Sequence, residues 1–360
     1  MESLENRLAQ YINWLSKRNI QSKALNELIS KEFDEEYDEL YELFNELVSS
    51  LLEAASAGEE LNQCYERSLI LIDQLETWRQ INDQKFISWI ESSNNMFRLH
   101  QTPLNVGAHF SAYLKAHHDT WVFTSATLAV GDDFSAFCNE IGLNEVDTHR
   151  WQSPYDFNNN CLLYLPSANI DPRDFGYADY VAEQVLQVTQ ASSGRAFCLF
   201  TSYAMMDRVY KIVKHGCNWP LFLQGQESKQ ILLQQFLDTK NSLLFGTASF
   251  WEGVDVKGDS LSCVLIDKLP FEPPSDPVLK SKLQICEENG GLPFFDIQVP
   301  NAVISLKQGA GRLIRSETDK GVLVICDPRI TTKSYGKLFL NSLPEMKITN
   351  DINDVFRFFK

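Results

Sequence analysis

The chain's 360 residues, 44% hydrophobic, 12% aromatic and 22% charged, predict two or three packed domains and exclude the disordered, collagenous and disulfide-stapled classes. The formal charge of −16 argues at first against a nucleic-acid partner, yet residues 1–92 hold 8 Lys and Arg against 19 Asp and Glu while residues 93–360 hold 24 against 29, which leaves the larger part open to a polyanion. No apolar run approaches the roughly 18 residues that cross a bilayer, and Met1-Glu2-Ser3-Leu4-Glu5 lacks the basic and then apolar regions of a leader, so a cytoplasmic protein with no membrane contact is expected.

Residues 1–85 contain no proline and one glycine, and their apolar residues recur at helical spacing. Between Glu35 and Ala57, Tyr37, Leu40, Tyr41, Phe44, Leu47, Val48, Leu51 and Leu52 form one stripe with Asp and Glu opposite. Ser56-Ala57-Gly58 breaks the stripe, and Leu61, Cys64, Tyr65, Leu69, Ile72 and Leu75 resume it, which predicts a helical hairpin with a solvated acidic face. After Lys85, the run Phe86-Ile87-Ser88-Trp89-Ile90, the turn Ser92-Ser93-Asn94-Asn95 and the run Met96-Phe97-Arg98-Leu99 predict a β-hairpin. Beyond it, short apolar strands at 121–124, 161–165, 197–200, 221–223, 243–245, 263–266 and 322–325 alternate with amphipathic helices near 177–189, 203–213, 230–237, 278–288 and 302–315. Alternation of this kind predicts an α/β fold in which helices cover both faces of a parallel sheet and ligands sit at the carboxyl ends of the strands. The eight cysteines are scattered singly, with no Cys-x-x-Cys pair and no Cys/His cluster at zinc spacing, so buried thiols and no metal site are expected.

Four segments carry polar chemistry. Trp121-Val122-Phe123-Thr124-Ser125-Ala126-Thr127-Leu128 and Leu199-Phe200-Thr201-Ser202-Tyr203 each read as a strand running into hydroxyls, a pattern that also caps helices. Phe245-Gly246-Thr247-Ala248-Ser249-Phe250-Trp251-Glu252-Gly253-Val254-Asp255 follows a strand. Its small residues let backbone amides, Thr247 or Ser249 reach phosphate oxygens, and Trp251 either packs or stacks on a base. Asn301 to Arg315, read as one helix, puts Val303, Leu306, Ala310 and Leu313 on a core face and Gln308, Arg312 and Arg315 at i, i+4 and i+7 on another. Gly309 and Gly311 each cost about 0.8 to 1 kcal/mol inside a helix relative to alanine, so a close approach by a backbone or a ligand is expected there. Two guanidiniums beside an amide suit a phosphate; surface ion pairs are the plainer alternative.

In this order, Thr124-Ser125-Ala126-Thr127-Leu128, Leu199-Phe200-Thr201-Ser202, the 245–255 segment, Asp267-Lys268-Leu269-Pro270-Phe271 with Pro273-Pro274-Ser275-Asp276-Pro277, and Gln308-Gly309-Ala310-Gly311-Arg312-Leu313-Ile314-Arg315 closely resemble the later helicase motifs of superfamily 2, in the XPD/DinG branch. The bacterial DinG and YoaA type is the nearest match, and the resemblance runs from Phe86 to the C-terminus. It implies a RecA-like parallel sheet with helices on both faces plus an N-terminal helical, arch-like subdomain. Residues 1–85 would be the arch-like subdomain, 86–150 the returning part of a first RecA-like domain and its connection, and 151–360 the second RecA-like helicase domain. It further implies an ATP-dependent DNA helicase, an ATP hydrolase that moves on single-stranded DNA and opens duplexes in repair or replication restart. On that pattern Arg312 and Arg315, with Gln308 beside them, form the arginine-finger side of the ATP site, and Gly253 and Asp255 reach the nucleotide. Thr201, Ser202, Thr247 and Ser249 would hold the backbone of one DNA strand, and Thr124, Ser125 and Thr127 would couple ATP state to DNA grip.

The departures from the family pattern are as informative. A Walker A loop needs Gly-x-x-x-x-Gly-Lys-Ser/Thr, and the one Gly-Lys pair, Gly336-Lys337, is followed by Leu338. No Asp-Glu-Ala-His box and no closely spaced cysteines for the family's iron–sulfur cluster occur either. All three belong to the family's N-terminal half, so the chain is expected to be the C-terminal half of a longer protein and inactive alone. ATP, Mg2+ and the iron–sulfur cluster would then belong to the full-length protein, with single-stranded and forked DNA as partners at the bacterial nucleoid. The run Asp351-Ile352-Asn353-Asp354-Val355-Phe356-Arg357-Phe358-Phe359 reads as a final helix packed on the sheet or, by the resemblance, as a dock for the chi subunit of DNA polymerase III. The alternative function is a non-catalytic RecA-like adaptor that docks proteins in DNA repair.

Overall fold

The computed structural model describes residues 2–18, 22–80, 85–93, 96–117, 119–168, 170–247, 250, 261–314 and 316–360. They fall into two compact units: Met1–Asp119, Glu140–Gly142 and Glu272–Pro293 form one, and Thr120–Asn139, Leu143–Phe271 and Phe294–Lys360 form the other.

In the first unit, helices Lys31–Ala54 and Glu59–Arg79 realise the predicted helical hairpin, joined by a 3-10 turn at Ala55–Ala57 and by Gly58. Ser30 opens the first of them by accepting a hydrogen bond from Phe33 N at 3.2 Å, and Glu32 and Asp34 complement its N-terminal dipole. Phe33, Tyr37 and Leu40 then meet Trp78 and, from helix Glu2–Lys17, Tyr11 and Leu15 in a buried cluster. The same cluster takes in Ile90 from an antiparallel sheet of β1 (Ser22–Ala24), β2 (Phe86–Ser93) and β3 (Met96–Pro103), in that order. The last two strands are the predicted hairpin, with Trp89 opposite His100 and their rings stacked 4.0 Å apart. Helix Pro277–Glu288 joins this unit from far along the chain: Asp276 caps it through Leu279 N at 2.7 Å, proline occupies its first position, and Lys280 pairs with Glu27 at 2.6 Å.

In the second unit, β4 (Cys161–Tyr164), β5 (Ala196–Leu199), β6 (Leu221–Leu223), β7 (Leu243–Gly246), β8 (Cys263–Ile266), β9 (Gly321–Ile325) and β10 (Lys347–Thr349) make one parallel sheet in the order β10-β4-β9-β8-β5-β7-β6. Every residue of β4, β5, β7, β8 and β9 is buried, as strands covered on both faces must be. Alternation sends Phe197, Leu199, Val264 and Ile266 to one face and Ala196, Cys198, Cys263 and Leu265 to the other. Helices Lys229–Asp238 and Val299–Ala310 cover the first face with Leu232, Phe236, Val303 and Leu306. Helices Tyr177–Ser192 and Tyr203–Gly216 cover the second with Val181, Val185, Met206 and Val209. This is the RecA-like α/β arrangement that the sequence predicts. The final helix, Ile352–Phe358, buries Val355 completely and packs Ile352 and Phe358 on the second face.

Two local expectations are corrected. Residues 121–124 form no strand: Val122 is 79% exposed, and among the described residues no β-ladder includes the segment. An apolar run becomes a strand only where a neighbouring backbone offers a ladder. The helix expected over 302–315 ends at Ala310, with consequences for the site below.

Candidate functional site

Five adjacent strands, β9, β8, β5, β7 and β6, deliver Asp327, Asp267, Thr201, Thr247 and Gln224 to the carboxyl edge of the second unit's sheet, each just past its strand. Asp267 is fully buried and accepts a hydrogen bond from Thr201 N at 2.9 Å, with Thr201 Oγ1 3.4 Å from its second oxygen. Burial pushes its carboxyl up to about 7, outweighing the backbone amides of Thr201 and Lys268 and the Lys268 charge, all of which lower it; the neighbouring Asp327 raises it further. Asp327 is buried as well, and the Arg329 guanidinium forks onto it, Nε to Oδ1 at 2.9 Å and Nη2 to Oδ2 at 2.6 Å. Arg329 N and Leu269 N add backbone bonds to it at 2.9 and 2.8 Å, so this carboxylate is both paired and hydrogen-bonded.

On the other side of Thr201, Thr247 donates from its N and its Oγ1 to Gln224 Oε1 at 2.6 and 3.0 Å, and Gln224 Nε2 donates to Tyr203 Oη at 2.7 Å. Ser202 caps helix Tyr203–Gly216 by accepting from Met205 N at 3.3 Å. Of these three predicted strand-gripping hydroxyls, Ser202 is exposed, Thr201 half-buried and Thr247 buried. The fourth, Ser249, lies outside the described residues, as do Gly253 and Asp255. Within the same segment Phe250 is buried and its ring sits over Gly246, where a Cβ would come within 2.8 Å of it.

Helix Val299–Ala310 runs back from this edge toward the opposite one, where Leu313 lands on Gly321, the first residue of β9. A Cβ on Gly321 would lie 2.4 Å from Leu313 Cδ1, so the absent side chain is what makes room for the leucine. To bury Leu313 and Ile314 the chain leaves the helix through a tight turn, Arg312 N returning to Gly309 O at 3.2 Å and Leu313 N to Ala310 O at 3.1 Å. The expected comb on one helix is therefore corrected. Gln308 stands on the last helical turn and Arg312 in the turn beyond it, both half-buried, while Arg315 lies outside the described residues. Gln308 and Arg312 are not brought together with Thr201, Ser202 and Thr247, which occupy the other edge of the sheet. Amide and guanidinium donors fit phosphate oxygens. Among the described residues no group of three or more His, Cys, Asp and Glu side chains is placed to hold a metal ion.

Thr124 and Ser125 are exposed in an irregular segment, and Ser125 Oγ accepts from Thr127 N at 3.1 Å with Thr127 Oγ1 at 3.0 Å. Lys307 Nζ donates to Ala129 O at 2.7 Å, tying this segment to the helix that carries Gln308. Burial and then the Arg150 charge hold the Lys307 ammonium below its ordinary pKa. Sequence reasoning gave no role to Lys307, Asp327, Arg329 or Gln224 and quoted Asp267 only within a motif. The available clue is an aspartate directly after a wholly apolar strand, at Cys263–Ile266 and again after Gly321–Ile325 and Cys326.

Residues 185–346 match the family described as Helicase C-terminal domain. The ATP-dependent DNA helicase YoaA of Haemophilus influenzae is 42% identical over 305 residues, which cover 85% of this chain and 48% of that protein. The chain corresponds to the C-terminal half of an XPD/DinG-type superfamily 2 helicase. The ATP-dependent DNA helicase DinG of Photobacterium profundum is 35% identical over 272 residues, covering 72% of this chain and 39% of that protein. The chain thus spans about half the length, or less, of these curated relatives. A solved XPD helicase structure matches with a TM-score of 0.60 at 18% identity, over 97% of this chain and 62% of that one, and shows the shared fold. In this XPD/DinG-type chain the matched span holds β5 to β9 together with Gln308 and Arg312. No helix among the described residues is long and apolar enough to cross a membrane.

Proposed function

We propose that the parent protein is an ATP-dependent DNA helicase that moves on single-stranded DNA and opens duplexes, forked ones included, and that this chain supplies the arginine side of its ATP site and part of its single-strand groove. Phosphoryl transfer needs a phosphate cradle and metal-holding carboxylates on one lobe and cationic donors from the other, the arginine share being worth about 10³ to 10⁵ in rate. Gln308, Arg312 and Arg315 meet the triphosphate from this side, and Gly253 and Asp255 approach the nucleotide. The family's N-terminal half holds the phosphate cradle, Mg2+ and the iron–sulfur cluster.

Ser202, with Thr201, Thr247 and Ser249, meets the sugar–phosphate backbone of one strand, which gives movement without sequence preference. The bonds from Thr201 to Asp267 and from Thr247 to Gln224 fix the edge before DNA arrives. Thr124, Ser125 and Thr127 pass ATP state to that grip, with Lys307 anchoring their segment to the arginine-bearing turn. Residues 1–85 serve as the arch-like subdomain, 86–150 as the returning part of the first RecA-like domain and its connection, and 151–360 as the second RecA-like domain. The protein works in the bacterial cytoplasm at the nucleoid. Its last helix offers the chi subunit of DNA polymerase III the exposed Asn353 and Arg357, since Val355 is committed to the core.

The observation that carries this reading is the 42% identity over 305 residues to a protein named as an ATP-dependent DNA helicase. It is tested by measuring ATP turnover of the purified 360-residue chain with single-stranded DNA present. No turnover is expected, because an arginine lobe without a cradle has nothing to accelerate. Clear turnover that Arg312→Ala abolishes would contradict the division of the site.

A further inference from the structure

We infer that Phe175 is a base-stacking platform for single-stranded nucleic acid, an assignment that rests on reading the carboxyl edge of the second sheet as the DNA path. The Phe175 side chain is 84% exposed, yet it is held in place. The Arg208 guanidinium carbon lies 4.7 Å from its ring centroid, and Arg208 Nη2 donates to Phe175 O at 3.1 Å. One face of the ring is thereby braced by a cation, and the exposure leaves the other face to solvent.

Two anchors fix this ring to the sheet edge. Two residues on, past Gly176, Tyr177 begins helix Tyr177–Ser192 and donates its hydroxyl to Asp267 O at 2.6 Å, at the end of β8. Arg208 belongs to the helix that Ser202 caps at the end of β5. The braced ring is therefore tied to the helix whose N-cap, six positions before Arg208, presents the exposed hydroxyl of Ser202. Cations able to meet phosphates lie on the helix that braces the ring. Helix Tyr203–Gly216 holds Arg208, Lys211 and Lys214, all exposed, against Asp207 as its single acid, while the segment of the ring itself carries Asp174 and Asp179 and an Asp171 paired with Arg173. With Arg208 under one face and Lys211 and Lys214 further along the same helix, the exposed face suits a nucleobase whose phosphates run along that helix.

The test is fluorescence anisotropy of the 360-residue chain with a thymidine oligonucleotide of about 20 nucleotides and with an abasic strand of the same length. Phe175→Ala should weaken binding of the thymidine strand by about 5- to 100-fold, leave the abasic strand nearly unaffected, and be rescued by Phe175→Trp. Equal losses on the two strands would overturn the platform. So would an unchanged thymidine affinity, which would hand the ring to a protein contact. If the unaltered chain bound neither strand, the reading of this edge as the DNA path would itself fall, and the Phe175 assignment with it.

Discussion

Burial outweighs hydrogen bonding at Asp267, and the consequence is a pH dependence with a definite sign. The unfolded chain releases this proton near pH 4, at the ordinary aspartate value, whereas the folded chain releases it nearer pH 7. Between those values the folded state binds more protons, so stability is fullest below the lower value and is lost as pH rises through the upper one. Asp267→Asn can still accept from Thr201 N through its carbonyl oxygen and cannot ionise. Urea midpoints at about pH 5 and about pH 8 should therefore fall less for the variant than for the unaltered chain. Parallel midpoints would show that the buried carboxyl does not titrate as described. At this scale the sequence was only half legible. It displayed aspartates directly after two apolar strands, but the fork of Arg329 onto Asp327 and the grip of Asp267 on Thr201 depend on which strands lie side by side. The hydroxyls of Thr201 and Thr247 likewise stand where the strand ends predict, while their hydrogen bonds to Asp267 and Gln224 follow from the order β8-β5-β7-β6.

Elements were more legible than contacts, because short apolar runs and amphipathic stripes carry their own periodicity. β6 and β8 match the predicted bounds, and the helical hairpin of the first unit breaks at Gly58 as its stripe suggests. Two strands escaped notice. Ser22–Ala24 and Lys347–Thr349 are three residues each, partly polar, and lie at sheet edges, where a single neighbouring strand leaves little mark on composition. The opposite error, a strand over 121–124, came from apolar residues without a ladder. The helix end at Ala310 reflects a contact that periodicity cannot register, Leu313 seated where Gly321 has no side chain. Gly321→Ala should therefore cost about 1 to 3 kcal/mol by overpacking. Leu313→Ala alone should cost about 2 to 5 kcal/mol through the cavity it leaves. The double variant should be less destabilised than the two separate losses added together, since the new methyl group enters the vacated space. Strict additivity in denaturant unfolding would mean that the two residues do not share that space.

For the whole molecule, acidity and chemistry are segregated. The acidic excess of residues 1–92 decorates the helices of the first unit, while the second unit carries the parallel sheet, its row of strand-end polar groups and the turn bearing Arg312. The membership of Glu272–Pro293 in the first unit is a feature that no local pattern carries, resting on such contacts as Lys280 with Glu27, 253 positions apart. The central claim is that this chain completes an ATP site from its arginine side. Its most direct test is DNA-stimulated ATP turnover of the full-length parent carrying Arg312→Ala or Arg315→Ala. The account predicts a fall of about 10³-fold or more for at least one of the two, with the protein still folded and DNA still bound. Turnover unchanged in both would contradict it.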